Sequence, residues 1–104
     1  AYPNTFEETS CIAVIEALSA GLRVVTSNLG ALPETTEGWA RMYPYLMDPF
    51  THAQTFANIL LEEIELVRKG KLDHHLNQQV NLYNTRWTWN YRIKEWLKFL
   101  DGLF

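Results

Sequence analysis

The 104-residue sequence has a single cysteine, Cys11, so no disulfide can form within one chain. So little cysteine is typical of a reducing compartment. Membrane-spanning segments are also missing, because no apolar run approaches the roughly 20 residues that cross a bilayer. The sequence opens Ala-Tyr-Pro-Asn, with neither a signal peptide nor a methionine, and from this we expect a piece of a longer protein.

An excess of positive charge is absent as well. The 9 basic residues are outnumbered by 12 acidic ones, for a net charge of -3. A protein that binds the phosphate backbone of nucleic acids needs a basic face, so we expect no nucleic-acid partner. Hydrophobic residues make up 47% and charged residues 20%, which is typical of a globular domain with one core.

Helical and extended patterns alternate over the first half of the chain. Residues 11–20 have helical spacing, and Gly21 is a good helix stop. A β-branched strand follows over 23–26, then a loop over 27–38 that opens a short helix at Pro33-Glu34. Residues 41–47 indicate a strand that Pro44 interrupts. This alternation predicts an α/β fold with a small parallel sheet and flanking helices.

The second half is helical. Apolar residues at helical spacing predict helices from Thr51 to near Gly70, over 72–84 and over 87–100. In the first of these the acids around Glu63 are expected on a solvated face. Three of the four tryptophans, Trp87, Trp89 and Trp96, belong to the last helix, where their spacing favours a place in the core. A sugar-stacking platform is the alternative interpretation.

The start of the first helix contains the residues most suited to binding a ligand. Thr9 or Ser10 is the expected N-cap, and Ile12, Ile15 and Leu18 would share the buried face. The first backbone N–H groups of a helix have no partner within it, so they can donate to hydroxyl or phosphate oxygens. Glu8 precedes this end, and Glu16 lies about two turns inside the helix.

This stretch resembles the signature of retaining GT-B glycosyltransferases, above all family 4, the "glycosyl transferases group 1" domain. The signature is a Glu-x7-Glu pair, small residues, a strand, and a glycine-containing loop that ends in Pro-Glu. Residues 8–34 read E-T-S-C-I-A-V-I-E-A-L-S-A-G-L-R-V-V-T-S-N-L-G-A-L-P-E. More loosely, Asp48-Pro49 resembles the family's Val-Asp-Pro, and Trp87-Thr88-Trp89 its closing Phe-Ser-Trp.

The resemblance implies that residues 1–104 are part of the nucleotide-sugar-binding domain, a Rossmann-like fragment amounting to half of a GT-B C-terminal domain. The N-terminal acceptor domain and the upstream part of the same domain would lie outside the chain. Glu8 would be catalytic or contact the sugar. Glu16 would accept hydrogen bonds from the ribose hydroxyls, and the amides of Ser10, Cys11 and Ile12 would contact the sugar or diphosphate.

Further expectations concern partners and location. The donor would be a nucleotide-diphosphate sugar, used as substrate, with no cofactor and no metal; the acceptor would be a glycan, lipid or protein. The 104 residues alone would be inactive. The parent would be cytoplasmic, either free or peripheral at the inner face of a membrane. In the family the terminal helix crosses to the N-terminal domain, so without that domain its aromatic face would be exposed or drive self-association.

Other interpretations remain open. The family's Gly-Phe-Gly is Thr9-Ser10-Cys11 here, and this favours a non-catalytic, glycosyltransferase-like binding or assembly module. Another Rossmann-type nucleotide binder, such as a sugar epimerase, is a third hypothesis.

Cys11 at a helix start could be a nucleophile, but no histidine is near it in sequence, so a small, partly buried residue is favoured. The three histidines have no metal-ligand spacing and are expected at the surface.

Overall fold

Strands and helices alternate over the first half of the chain in the computed structural model, which describes residues 1–7 and 10–103. The elements are α1 (Ile12–Ser19), β1 (Val25–Ser27), α2 (Leu32–Thr36), β2 (Arg41–Tyr43), α3 (Pro49–Arg68), α4 (Asp73–Arg86) and α5 (Trp89–Leu103). The predicted mixed α/β class and the helical second half are therefore confirmed.

The sheet is small and parallel. β1 pairs with β2 in parallel, with Val25 opposite Arg41 and Ser27 opposite Tyr43. Tyr2 forms an isolated parallel bridge to Thr26, so a third segment runs alongside β1. β2 ends at Tyr43, short of the predicted 41–47, because Pro44 has no N–H for the ladder. All three segments point in one direction, and the loops that follow them leave the same edge.

Helices cover both faces of this sheet. Val24 joins the core cluster with Val14 and Leu18 of α1, Leu32 of α2 and Tyr83 of α4. The next residue, Val25, points the other way and lines a groove with side chains of α3. The buried core therefore lies on the α1, α2 and α4 side, and α3 supports the opposite face.

The buried face of α1 differs from the prediction. Cys11, Val14 and Leu18 are 6%, 3% and 0% exposed, whereas Ile12 is 64% exposed. Cys11 is also the N-cap residue, and its side chain makes no capping hydrogen bond. The expected N-cap at Ser10 is therefore wrong, and Thr9 lies outside the described residues. The helix is rotated from the predicted orientation because a small cysteine fits against the core.

The carboxyl end of α1 is closed as predicted. Gly21 has φ +81°, its N–H donates to the Leu18 carbonyl (3.1 Å), and the Leu22 N–H donates to the Ala17 carbonyl (3.0 Å). These are the two bonds of a Schellman motif, which needs a left-handed residue after the cap. Gly21 also lies close to α4, since a Cβ there would be 2.9 Å from Cγ2 of Val80.

We expect Gly21→Ala to destabilise the chain more than Gly38→Ala. Both glycines have φ +81°, so each alanine carries the left-handed penalty of about 1–2 kcal/mol. Only Gly21 adds a steric clash, because nothing lies within 4 Å of a Cβ at Gly38. Urea denaturation of the two variants measures the difference in the free energy of unfolding. Equal losses would contradict the close approach of α4 to α1.

Two amide side chains of α4 also hold this end of α1. The buried Gln79 donates from Nε2 to the carbonyls of Leu18 (3.0 Å) and Leu22 (2.9 Å). Asn84 donates from Nδ2 to the carbonyl of Ser19 (3.1 Å). These three bonds tie α4 to the last turn of α1 and to the residue that follows its glycine stop.

α3 begins earlier than predicted. Asp48 is its N-cap and accepts a hydrogen bond from the Thr51 N–H (3.0 Å), so the helix starts at Pro49. Hydrogen bonds from the side chain and backbone of Thr51 hold the pKa of the Asp48 carboxyl below its usual value.

The solvated acidic face expected on α3 is wrong at one position. Glu63 is only 2% exposed, and its carboxylate lies 2.8 Å from Nε of Arg23 and 3.7 Å from Nη1 of Arg41. Nη1 of Arg23 also donates to the Trp39 carbonyl (2.8 Å). Arg23 therefore anchors α3 to the segment before β1.

The core position expected for the tryptophans is confirmed for Trp87 alone. Trp87 packs against the core cluster, but Trp89 and Trp96 are 79% and 62% exposed. α5 has no buried residue along its whole length. None of the helices in the described part of the chain is long and apolar enough to cross a membrane.

Candidate functional site

The loops that follow the three parallel segments meet at the carboxyl edge of the sheet. One leads from Asn4 into α1, one follows Ser27, and one follows Tyr43. In open α/β sheets, ligands bind outside the carboxyl ends of the strands. The amino end of α1 opens at this edge, so the sequence-predicted site residues belong to the edge where a ligand is expected.

Asn4 organises the first loop. The side chain is 3% exposed; its Nδ2 donates to the Phe6 carbonyl (2.6 Å) and its Oδ1 accepts from the Phe6 N–H (3.3 Å). Its own carbonyl accepts from Oγ of Ser27 (3.3 Å), at the end of β1. No role was predicted for Asn4, although an asparagine after Pro3 favours an Asx turn and could have been used as a signal.

Asn28 ties the second loop to the third. Its N–H donates to the Tyr43 carbonyl (3.0 Å), and its Oδ1 accepts from the Tyr45 N–H (3.1 Å). Gly30, two residues later, has φ +62°, which suits glycine in this turn. Asn28 thus connects two loops of the edge, while the Asn4 side chain shapes its own loop, and sequence reasoning missed both roles.

The amino end of α1 presents the residues singled out from the sequence. Ser10 is exposed, Cys11 is buried, and Ile12 is exposed. Glu16 is exposed and lies four residues after Ile12, so the two side chains share a helix face. The structure therefore brings Ser10, Ile12 and Glu16 to an accessible surface at the amino end of α1, whose first backbone amides are not capped by the Cys11 side chain. Glu8 lies outside the described residues.

A groove of about 450 Å³ runs between this end of α1 and the start of α5. It is lined by Ser10, Ile12, Ile15, Trp87, Thr88, Trp89, Arg92 and Trp96. Trp87 is fixed in place by stacking on Tyr83 at 5.6 Å, and the Arg92 guanidinium lies 4.7 Å above its ring. The groove offers aromatic faces and one cation beside the helix amides, a combination that was not predicted.

The remaining reactive side chains have structural roles. Cys11 packs in the core cluster, as the favoured interpretation expected. His52 was expected at the surface, but it is 5% exposed, and its Nε2 lies 2.8 Å from the Tyr43 hydroxyl. Burial raises the pKa of Tyr43. Over residues 1–7 and 10–103, no group of three or more His, Cys, Asp or Glu side chains could hold a metal ion.

Comparison of the chain with protein-family models, with curated proteins and with solved structures finds no match.

Proposed function

We propose that the chain is part of the nucleotide-sugar-binding domain of a retaining glycosyltransferase, a Rossmann-like unit of the GT-B type. One observation carries the proposal: the amino end of α1, where the Cys11 side chain makes no capping hydrogen bond, opens at the carboxyl edge of three parallel segments, with Ser10, Ile12 and Glu16 exposed beside it. The Glu-x7-Glu spacing in the sequence agrees with this placement.

In the proposed site each residue has a distinct part. The exposed Glu16 carboxylate accepts hydrogen bonds from the two ribose hydroxyls of the donor. The backbone N–H groups at Cys11 and Ile12 donate to the diphosphate or the sugar, helped by the positive end of the α1 dipole. Glu8 is the residue proposed to face the donor sugar. The parent protein supplies the acceptor domain and the cations that neutralise the diphosphate.

We expect weak, localised binding of nucleotide sugars and no sugar transfer by the isolated chain. In a titration of the ¹⁵N-labelled chain with UDP-, GDP- and ADP-sugars, the largest amide shifts should fall on residues 10–16. Glu16→Ala should raise Kd about tenfold or more, because a hydrogen bond to a charged group contributes about 1.5–3 kcal/mol. Glu65→Ala, at an exposed acid of α3, is the matched control and should leave Kd unchanged.

Three results would count against the proposal. Shifts confined to residues outside the carboxyl edge would place binding elsewhere, and an unchanged Kd for Glu16→Ala would remove the proposed ribose contact. Measured turnover by the purified chain would contradict the division of the active site between this chain and the rest of the parent.

A second candidate is a glycosyltransferase-like module without catalysis. It is favoured by Cys11, which occupies a glycine position of the family signature and is buried in the core. A side chain there holds the backbone in place by packing, whereas glycine would allow a ligand to approach closely. Glu16→Ala in the full-length parent separates the two: a large rise in donor KM is expected of an enzyme and cannot occur in a module without turnover.

A further inference from the structure

α5 leaves the body of the chain after its first turn. Tyr91 and Arg92 are half-buried, and every residue from 93 to 103 is exposed. Seven apolar side chains lie uncovered along it: Trp89, Ile93, Trp96, Leu97, Phe99, Leu100 and Leu103. A helix of this composition does not hold an extended apolar face in water without a partner.

The uncovered side chains have the spacing of a paired helix. Five of them recur at intervals of four, three, four and three residues, from Trp89 through Ile93, Trp96 and Leu100 to Leu103. This is the a and d pattern of a coiled coil, continued over two heptads. Leu97 and Phe99 flank the stripe and widen it, so the apolar face includes positions that in many coiled coils are charged.

Charge is confined to the other side of the helix. Lys94, Glu95, Lys98 and Asp101 occupy the b, c and f positions of the same heptads, which point away from the stripe. Arg92 borders the stripe at its first turn, where its guanidinium already bonds to Glu95 (3.0 Å) and covers Trp87. No contact between like charges therefore opposes the packing of this stripe against the same stripe of a second helix.

The apolar area is close to what a stable dimer needs. A whole aromatic side chain has an area of about 150–250 Å². The three aromatic side chains of the apolar face are 57–79% exposed, so together they leave roughly 300–500 Å² uncovered. Four aliphatic side chains, 41–60% exposed, add roughly 130–250 Å². A standard interface buries about 800 Å² on each partner, and the largest apolar patch of a typical monomer is about 300–600 Å².

We propose that α5 pairs with α5 of a second copy of the chain, giving a symmetric dimer through the Trp89–Leu103 stripe. A second copy fits because the stripe is apolar, uncharged along its length and regularly spaced, so that it is complementary to itself. The pairing goes beyond the proposed function, because it uses no nucleotide and no residue of the Glu-x7-Glu pair, although Trp89 and Trp96 of the stripe also line the groove beside α1.

Light scattering after size-exclusion chromatography tests the pairing with the whole chain. We expect a mass near twice 12.1 kDa at high concentration, with a dissociation constant from sedimentation. Trp96→Glu and Leu100→Glu, each in the middle of the stripe, should raise that constant by about 30-fold or more, as expected of interface hot spots. Lys98→Glu, on the outer face, should change it by less than about threefold.

Circular dichroism must show unchanged helix content in all three variants. We expect this because the substituted side chains of α5 are exposed. Val67→Glu probes the separate apolar groove between β1 and α3. A monomer at all concentrations, a mixture of large aggregates, or a dimer broken by Val67→Glu and not by Trp96→Glu would each overturn the proposal.

Discussion

Replacing Glu63 with alanine is expected to lower the free energy of unfolding by about 3–5 kcal/mol. Glu63 is 2% exposed and pairs with Arg23, whose side chain is itself only 14% exposed. Removing the carboxylate leaves a guanidinium with little access to water and without its anion. The energetic loss comes mainly from this uncompensated charge, because the desolvation of both groups largely offsets their attraction.

Glu62 provides the matched control. It is adjacent on α3 and lies 3.5 Å from Arg41, but its side chain is 62% exposed. Surface ion pairs contribute about 0–1 kcal/mol, so Glu62→Ala should leave the urea midpoint nearly unchanged. The double variant Arg23→Leu/Glu63→Leu should recover much of the loss by replacing the pair with apolar contacts. Equal effects of Glu62→Ala and Glu63→Ala would show that the pair does not anchor α3.

Tyr83→Ala is the second large effect, with an expected loss of about 3–5 kcal/mol, as for other large aromatic side chains in a core. Tyr83 is fully buried, stacks on Trp87, and donates from its hydroxyl to the Thr35 carbonyl (2.6 Å). It therefore joins α4 to α2 and supports one wall of the groove at α1. Tyr83→Phe keeps the packing and should lose only about 1–3 kcal/mol, from an unpaired buried carbonyl.

The pH dependence of the free energy of unfolding provides a second test of the role of Tyr83. Burial, and to a lesser degree the Glu37 carboxylate, raise the pKa of Tyr83 above its usual value. The unfolded chain releases this proton near pH 10 while the folded chain keeps it, so stability falls as the pH rises above about 10. Tyr83→Phe should make that alkaline fall shallower. A fall of unchanged steepness would mean that other groups, such as Tyr43, account for it.

Predictions from the sequence succeeded where the cause is local. Gly21 ended α1 and Pro44 ended β2, because a left-handed turn and a missing N–H act on their immediate neighbours. The parallel arrangement also followed from the alternation of elements. Glu16 was expected about two turns inside the first helix, and it lies within α1 on an exposed face.

Predictions failed where the cause is distant in the sequence. Glu63 is buried because Arg23, 40 residues away, neutralises it, and nothing in the α3 sequence reveals that partner. Hydrophobicity favoured Ile12 over Cys11 for the core, yet the space beneath α1 admits the smaller side chain. Asn4 and Asn28 were missed for the same reason, because their importance depends on which loops meet at the edge of the sheet.

Trp96 shows a different limit. Helical spacing predicts that a face is covered, but it does not say by what. The spacing therefore favoured the core for its tryptophans, whereas the expectation of an exposed aromatic face came only from the family resemblance; the described neighbours leave the stripe of α5 open.

The grip of Gln79 and Asn84 on α1 has a mechanical consequence. These amides bond to carbonyls at the tail of the helix, while Cys11 and Val14 at its head are buried in the core cluster. A rod of eight residues is about 12 Å long, so a tilt of about 5° would move the head by about 1 Å and would disturb the packing of Cys11. The helix is thus held at both ends, and this fixes the positions at which Ser10 and Ile12 face the carboxyl edge of the sheet.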